Sequence, residues 1–179
     1  MDLTYQLTQL FPEFDLIEDK DLREKTFSCW TEAMQIGGWS IEDLDEIPFT
    51  LLIPDCPVSF REHVRSVTQT AIATAGVLVE FYSRHYAINV DYIVAGGLLH
   101  DIGKLLEYRR EDGHFVKSEK GKLVRHPFSG AGLAMKHGLP DTIVHIIATH
   151  AKEGDGSYRC PESVIIHHAD FMNFEPLKK

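Results

Sequence analysis

The chain has 179 residues, of which 44% are hydrophobic and 25% charged, and its formal net charge is −9. This length predicts one domain with room for an added segment, and the apolar content is sufficient for a buried core. Proteins that bind nucleic-acid duplexes usually present a basic face, so the acidic balance argues against long nucleic acid as a partner. Because no apolar run reaches membrane-spanning length, we also expect no membrane association.

The start of the chain and its cysteines point to the same compartment. Met1 is followed by Asp2 and a polar segment, which is not the pattern of a signal peptide. Cys29, Cys56 and Cys160 are odd in number, lie far apart and form no CxxC pair. Such cysteines are typical of ordinary thiols in a reducing environment. We therefore expect a cytoplasmic protein.

Residues 1–56 are predicted to be an N-terminal helical extension with a linker, ahead of a main domain at residues 57–179. Apolar residues at helical spacing predict a helix from Asp19 to Ile36 that ends at a glycine pair. Large aromatic residues such as Trp30 are usually buried. The extension is therefore expected to cover the main domain or to form the surface of a homodimer.

From Val58 onward the pattern predicts consecutive helices. Apolar periodicity and proline positions place them at residues 59–86, 90–102, 127–138, 140–151 and 161–171. Between residues 111 and 125 the helical pattern breaks, and Phe115-Val116 is a candidate to pair with Leu123-Val124 as a short hairpin. Nothing alternates strand with helix in the manner of a parallel sheet. The fold class is therefore predicted to be all-α, a helical bundle.

An adjacent imidazole and carboxylate, His100-Asp101, close an apolar stretch of the chain. A buried charge without a partner is costly, so this pair needs one. Four more potential metal ligands are spread along the sequence, namely His63, His126, His150 and Asp170. Imidazole nitrogen and carboxylate oxygen suit Fe, Mn, Zn or Ni better than Mg or Ca. The six residues are enough for two such ions if one carboxylate bridges them.

In this ordered H…HD…H…H…D pattern the chain resembles the HD-domain superfamily of metal-dependent phosphohydrolases, in the subgroup with the HDIG signature. The likeness extends from about Ser59 to Phe174. The stretches that carry it are His63-Val64-Arg65-Ser66-Val67, Leu99-His100-Asp101-Ile102-Gly103-Lys104, His126-Pro127-Phe128-Ser129-Gly130, Thr149-His150-Ala151 and Ile165-Ile166-His167-His168-Ala169-Asp170. The resemblance implies a helical HD-domain bundle and hydrolysis of a phosphoester.

The resemblance also implies a division of the metal ligands. In this superfamily the first histidine, the HD pair and the last aspartate hold one metal, and two extra histidines hold a second one. Carried over, the first site consists of His63, His100, Asp101 and Asp170, and the second of Asp101, His126 and His150. Two divalent transition-metal ions bridged by Asp101 would share a hydroxide that attacks phosphorus.

Lys104 follows Asp101 by three residues, so it shares that helix face and can neutralise charge on a bound phosphate. Asp101 and Lys104 are therefore the predicted catalytic residues, and the sequence identifies no acid for the leaving group. Gly103 either keeps the approach of the phosphate open or ends the helix. His167 shares a helix face with Asp170 and is expected to orient Asp170 or a water.

A nucleotide or another small phosphoester is the expected substrate. The stretch from Glu119 to His126 resembles an insertion in HD-type 3′–5′ exoribonucleases, but the acidic chain favours a small substrate over long RNA. Two alternatives stay open. One is a di-iron HD-type oxygenase, which uses the same six ligands to cleave a C–C or C–P bond with O2. The other is a module that senses a nucleotide without turnover; Lys104 and the intact ligand set favour the hydrolase.

Overall fold

The structure, a computed structural model, describes residues 3–178, which form a helical bundle with one small hairpin. The helices are α1 (Leu3–Leu10), α2 (Lys20–Gly37), α3 (Asp43–Glu46), α4 (Phe60–Tyr82), α5 (Val90–Leu99), α6 (Lys104–Glu107), α7 (Glu119–Leu123), α8 (His126–Lys136), α9 (Asp141–Thr149) and α10 (Pro161–Phe174). Short 3-10 turns span Pro12–Leu16, Lys152–Gly154 and Glu175–Leu177, and β1 (Tyr108–Glu111) pairs antiparallel with β2 (His114–Lys117). The predicted all-α class is confirmed.

Met1, Asp2 and Lys179 lie outside the described residues. The expectation that the chain has no signal peptide rests on Met1 and Asp2, so it also falls outside this description. Within residues 3–178, every helix is too short or too polar to cross a bilayer.

The helix ends follow local sequence signals. The Asp19 side chain accepts a hydrogen bond from the Leu22 amide and caps α2, and Gly38 ends that helix in the left-handed conformation, with φ of 72°. Left-handed backbone favours glycine because it has no Cβ. Ser59 and Glu62 form a capping box at the start of α4. The helix predicted over residues 19–36 is thus confirmed to within one residue at each end.

The hairpin predicted within residues 111–125 is wrong in its pairing. Phe115 and Val116 lie in β2 and pair with β1, whereas Leu123 belongs to α7. The turn consists of Asp112-Gly113, which both have positive φ, of 47° and 80°. Tight hairpin turns require such angles, and an Asp-Gly pair supplies them. This dipeptide is the sequence signal that identifies the correct hairpin.

Helix α5 lies at the centre of the bundle, and α2, α4, α9 and α10 pack against it. Its residues from Ile93 to Leu99 are all buried. At Gly97 a Cβ atom would lie 2.9 Å from the Thr68 Cα, so glycine permits the close approach of α4 and α5. The centre of the bundle therefore ends in the His100-Asp101 pair.

The N-terminal extension packs onto this bundle. The Trp30 indole is fully buried, donates a hydrogen bond of 3.1 Å to the carbonyl of Leu98 in α5, and lies 4.6 Å from the Phe11 ring. Apolar residues from both sides of residue 56 belong to one hydrophobic cluster. The division of the chain at residue 56 into an extension and a main domain remains a proposal, and this contact favours a covering role for the extension.

We predict that Trp30→Ala lowers the free energy of unfolding by about 3–5 kcal/mol, the usual cost of truncating a large buried aromatic residue. Urea denaturation of the metal-free protein measures the change. Leu16→Ala is the control in the same extension, because Leu16 is 52% exposed and should shift stability by less than about 0.5 kcal/mol. Equal stability of the two variants would show that the extension unfolds separately from the bundle.

Candidate metal centre

The six residues that the sequence marks as metal ligands converge at the end of α5. The two oxygens of the Asp101 carboxylate face different histidines. Oδ2 lies 3.3 Å from Nε2 of His63 and 3.4 Å from Nε2 of His100. Oδ1 lies 3.4 Å from Nε2 of His126 and 3.5 Å from Nε2 of His150. Asp101 therefore stands between two pairs of imidazoles that come from four different parts of the chain.

The sixth residue, Asp170 in α10, lies at one side of this cluster. Its Oδ1 atom is 3.1 Å from Nε2 of His63. Burial acts to lower the pKa of His63, but its hydrogen bonds to Asp101 and Asp170 outweigh burial, so this pKa is raised. Two carboxylates thus stabilise His63, as a protonated ring or as the ligand of a cation.

The other histidines direct lone pairs at the carboxylate. Nδ1 of His100 lies 2.6 Å from the carbonyl of Gly97, and Nδ1 of His150 lies 2.8 Å from the carbonyl of Ile147. A carbonyl only accepts hydrogen bonds, so in each neutral ring Nδ1 carries the hydrogen and Nε2 carries a lone pair. These lone pairs face the oxygens of Asp101, which are also acceptors.

Acceptors that face each other without a hydrogen are unfavourable in a buried site. His63, His100 and Asp101 are at most 1% exposed, and burial lowers the pKa of His126 to about 4, so that ring is neutral at neutral pH. A cation between the acceptors removes the repulsion. The donor set therefore fits a metal ion, and its nitrogen and oxygen atoms suit first-row transition metals.

Ligand atoms within reach of one ion form two groups. One group is His63, His100 and Asp101, and the other is Asp101, His126 and His150, with the ligand atoms of each group within 4.8 Å of one another. Asp101 belongs to both groups. This grouping follows the division that the resemblance implies, except that Asp170 stands beside His63 rather than within the first group.

Lys104 occupies a more enclosed place than its sequence position suggested. Its Nζ atom lies 2.5 Å from Oδ2 of Asp101 and 2.6 Å from the carbonyl oxygen of Phe49. Burial alone would lower the pKa of Lys104, but the charge of Asp101 outweighs it and raises this pKa to about 12. Burial opposes the ionisation of Asp101, yet the charge of Lys104 holds the pKa of that carboxyl well below its usual range. The ammonium therefore neutralises the central carboxylate while it faces the adjoining cavity.

Phe49 is a site residue that the sequence analysis missed. Its ring stacks on the His63 imidazole, with centroids 4.2 Å apart and an interplanar angle of 21°. Its carbonyl oxygen is the second acceptor for Lys104. A phenylalanine in a proline-rich linker carries no local signal for this place, because the contact depends on how the extension packs.

Glu107 is the second residue that was missed. It is 1% exposed, and its Oε2 atom accepts a hydrogen bond of 2.7 Å from the backbone amide of His126 and lies 3.2 Å from Nδ1 of that ring. Lys117 and Arg125 form ion pairs with it at 3.2 and 3.3 Å. Burial acts to raise the pKa of Glu107, but its hydrogen bonds with His126 and the charge of Arg125 lower it to about 2. The sequence signal that could have identified Glu107 was an acidic residue directly after the apolar pair Leu105-Leu106.

Two neighbouring residues make contacts that the sequence analysis did not predict. A Cβ atom at Gly103 would lie 2.1 Å from the carbonyl oxygen of His126, so glycine here lets the start of α8 approach the HD pair; neither predicted role described this contact. Nδ1 of His167 lies 2.6 Å from the carbonyl oxygen of His150. This contact occupies one ring nitrogen at the end of α9, and the expectation that His167 orients Asp170 or a water stays a prediction.

A cavity of about 440 Å³ opens beside the cluster, and Asp101, Lys104, His126 and Asp170 contribute to its wall. Aromatic and cationic side chains are among its other lining residues. The aromatic ones include Phe49, Phe171 and Phe174, and the cationic ones include Lys117, Arg125 and Lys152. The ring centroids of Phe49 and Phe174 are 6.0 Å apart, so the aromatic side chains form a continuous surface. The site can therefore contact a flat apolar group and an anionic group together.

We predict that Gly103→Ala lowers the free energy of unfolding by about 1–3 kcal/mol, the usual cost of overpacking a core, and weakens metal binding because it displaces His126. Gly132→Ala in α8 is the matched control, since no atom lies within 4 Å of a Cβ there. That variant should keep its metal affinity and gain up to about 1 kcal/mol, because alanine favours helix over glycine. Denaturation and metal titration of both variants test this; equal behaviour would contradict it.

The chain is similar in sequence to known proteins over the part that carries this site. The chain is 41% identical over 113 residues to the dihydroneopterin 2′,3′-cyclic phosphate phosphodiesterase of Methanocaldococcus jannaschii. The matched stretch covers 61% of this chain and 43% of the relative. It is 32% identical over 96 residues to ribonuclease Y of Pseudothermotoga lettingae, and this stretch covers 54% of this chain and 16% of the relative. The chain thus spans less than half the length of these relatives, and no solved structure matches it significantly. The HD domain model matches residues 61–172, more than half of the sequence and all six converging residues, and the chain therefore belongs to the HD domain family.

Proposed function

We propose that this chain is a metal-dependent phosphohydrolase that binds two divalent transition-metal ions and hydrolyses a small phosphoester. One observation carries the proposal. The buried Asp101 carboxylate turns one oxygen toward His63 and His100 and the other toward His126 and His150. A carboxylate with two such faces is suited to bridge two ions.

The roles of the residues follow from their positions. One ion would be held by His63, His100, Asp101 and Asp170, and the other by Asp101, His126 and His150. When bound, two such ions supply a nucleophilic water at neutral pH and stabilise charge on the phosphoryl oxygens. Lys104 lines the cavity beside Asp101 and would donate to a phosphoryl oxygen as negative charge develops there. Phe49, Phe171 and Phe174 line the cavity and would exclude water from the part of the substrate that they contact.

The proposed substrate is a phosphodiester of nucleotide size, including a cyclic phosphate. A cavity of about 440 Å³ lies in the range of small-molecule sites. Its aromatic side fits a planar ring, and its cationic side fits a further anionic group. The names of the relatives describe enzymes of a cyclic phosphate and of RNA, and both substrates contain phosphodiester bonds. The net charge of −9 disfavours long nucleic acid.

A cytoplasmic location and the oligomeric state are also part of the proposal. All three cysteines are free thiols, as expected in a reducing compartment. The burial of Trp30 within its own chain supports a covering role for residues 1–56. A homodimer therefore needs a different surface from the one that Trp30 offers.

The experiment that tests the function compares the protein purified with and without oxygen. Metal-depleted protein is reloaded with Fe, Mn, Zn or Ni, and incubated with nucleoside 2′,3′-cyclic phosphates, linear phosphodiesters and phosphomonoesters. If the protein is a hydrolase, the ester should be hydrolysed in the absence of oxygen. Turnover that requires oxygen and consumes it would support a di-iron oxygenase instead, and tight nucleotide binding without turnover would support a sensor.

We predict that Asp101→Ala loses bound metal and all hydrolytic activity, since it removes the carboxylate between the two histidine pairs. Elemental analysis of the purified variant and the phosphodiester assay measure the two effects. The unfolding transition, followed in parallel, shows whether the variant is folded. A folded Asp101→Ala protein with full metal content would contradict the bridging role.

We predict that Lys104→Ala retains metal but hydrolyses phosphodiesters about 100-fold more slowly or worse, the scale for loss of one donor to the transition state. Lys120→Ala is the matched control, because Lys120 is exposed on α7 and lies outside the cavity wall. Loss of metal from Lys104→Ala, or an unchanged rate, would refute the assigned role.

A further inference from the structure

We propose that Glu107 is the positioning residue that places the proton of His126 on Nδ1 and thereby sets the affinity of the second metal site. This inference rests on the proposed two-metal function. It starts from the contact of Glu107 Oε2 with both the amide and the Nδ1 atom of His126, at 2.7 and 3.2 Å. An ionised carboxylate only accepts hydrogen bonds. Nδ1 therefore carries the hydrogen, and Nε2 is left as a ligand atom directed at Asp101.

His100 and His150 need no such partner. His100 and His150 lie at the ends of their helices, and each Nδ1 faces the carbonyl oxygen three residues earlier, that of Gly97 or Ile147. His126 is the first residue of α8, so no preceding turn of that helix offers it a carbonyl. Its acceptor has to come from elsewhere in the chain, and Glu107 at the end of α6 supplies it.

A carboxylate differs from a carbonyl because it carries charge. The negative charge of Glu107 favours a hydrogen on Nδ1 and makes Nε2 a more basic ligand, as in carboxylate–histidine–metal triads. Lys117 and Arg125 compensate that charge in the buried site, which keeps Glu107 ionised. The affinity of His126 for a cation is thus set by a residue that does not itself reach the ion.

The hairpin and α7 hold this carboxylate in place. The amide of Ser118 donates a hydrogen bond of 2.9 Å to the Glu107 carbonyl, and β2 carries Lys117. At Gly121 a Cβ atom would lie 2.3 Å from the same carbonyl oxygen, so glycine lets α7 pack directly on Glu107. The segment between α6 and α8 therefore packs around Glu107.

The test uses Glu107→Gln, which keeps the shape of the side chain but removes its charge and can turn an amide hydrogen toward Nδ1. Calorimetric titration of metal-depleted protein with Mn²⁺ should show two sites in the wild type. In the variant, one site should be unchanged and the other about 10–100-fold weaker, the effect known for residues that support metal ligands. Glu153→Gln is the matched control, because Glu153 pairs with Arg125 at 3.1 Å and no contact joins it to His126 among the described residues. It should bind both ions as the wild type does.

A second measurement needs no metal and no turnover. Nitrogen NMR of the imidazoles in the metal-free wild type should show His126 with its hydrogen on Nδ1, and in Glu107→Gln this hydrogen should move to Nε2 in part or fully. A hydrogen on Nε2 in the wild type would overturn the inference even if the variant failed to fold. Two unchanged metal affinities in a folded Glu107→Gln protein would overturn it as well.

The two proposals fail in different ways. If the wild type binds fewer than two Mn²⁺ ions, the two-metal function fails, and the NMR measurement alone then decides whether Glu107 sets the tautomer of His126. If the wild type binds two ions and hydrolyses phosphodiesters while Glu107→Gln matches it in both metal affinities, the function stands and the role of Glu107 is refuted.

Discussion

The structure depends on one buried negative charge, the carboxylate of Asp101. It is 1% exposed, and its pKa stays low because the charge of Lys104 outweighs the effect of burial. A buried carboxylate is stable only when positive charge or hydrogen-bond donors surround it. Four imidazoles approach it, and at least two of these turn lone pairs toward it, so the protein side chains leave part of this requirement to a cation.

The helices are arranged so that these imidazoles can meet. Gly97 lets α4 and α5 come together, and Gly103 lets the start of α8 reach the end of α5. Two of the rings, those of His100 and His150, are then oriented by their own helices, through carbonyl groups near helix ends that have no partner in the next turn. His126 is at the opposite end of its helix, and so it requires Glu107. The same helix geometry thus explains why some ligands need no support and one does.

The extension that precedes the family match is part of the site and not only a cover. The HD domain model begins at residue 61, whereas Phe49 stacks on His63 and accepts a hydrogen bond from Lys104. Thr50, Leu51 and Leu52 continue the cavity wall. A boundary at residue 56 therefore separates segments of sequence, but the cavity includes residues from both sides of it. A molecule bound in this cavity would therefore contact this segment as well as the residues of the family match.

The sequence by itself determined the helical class, the capped helix ends and the six candidate ligands. These features are local, because periodicity, capping and the chemistry of imidazole and carboxylate can be read from neighbouring residues. Tertiary structure decided the rest. Phe49 meets Lys104 across 55 positions and Glu107 meets His126 across 19, and no local pattern encodes such contacts. The requirement for glycine at position 103 also depends on packing, because a side chain there would clash with the start of α8, which lies against the HD pair.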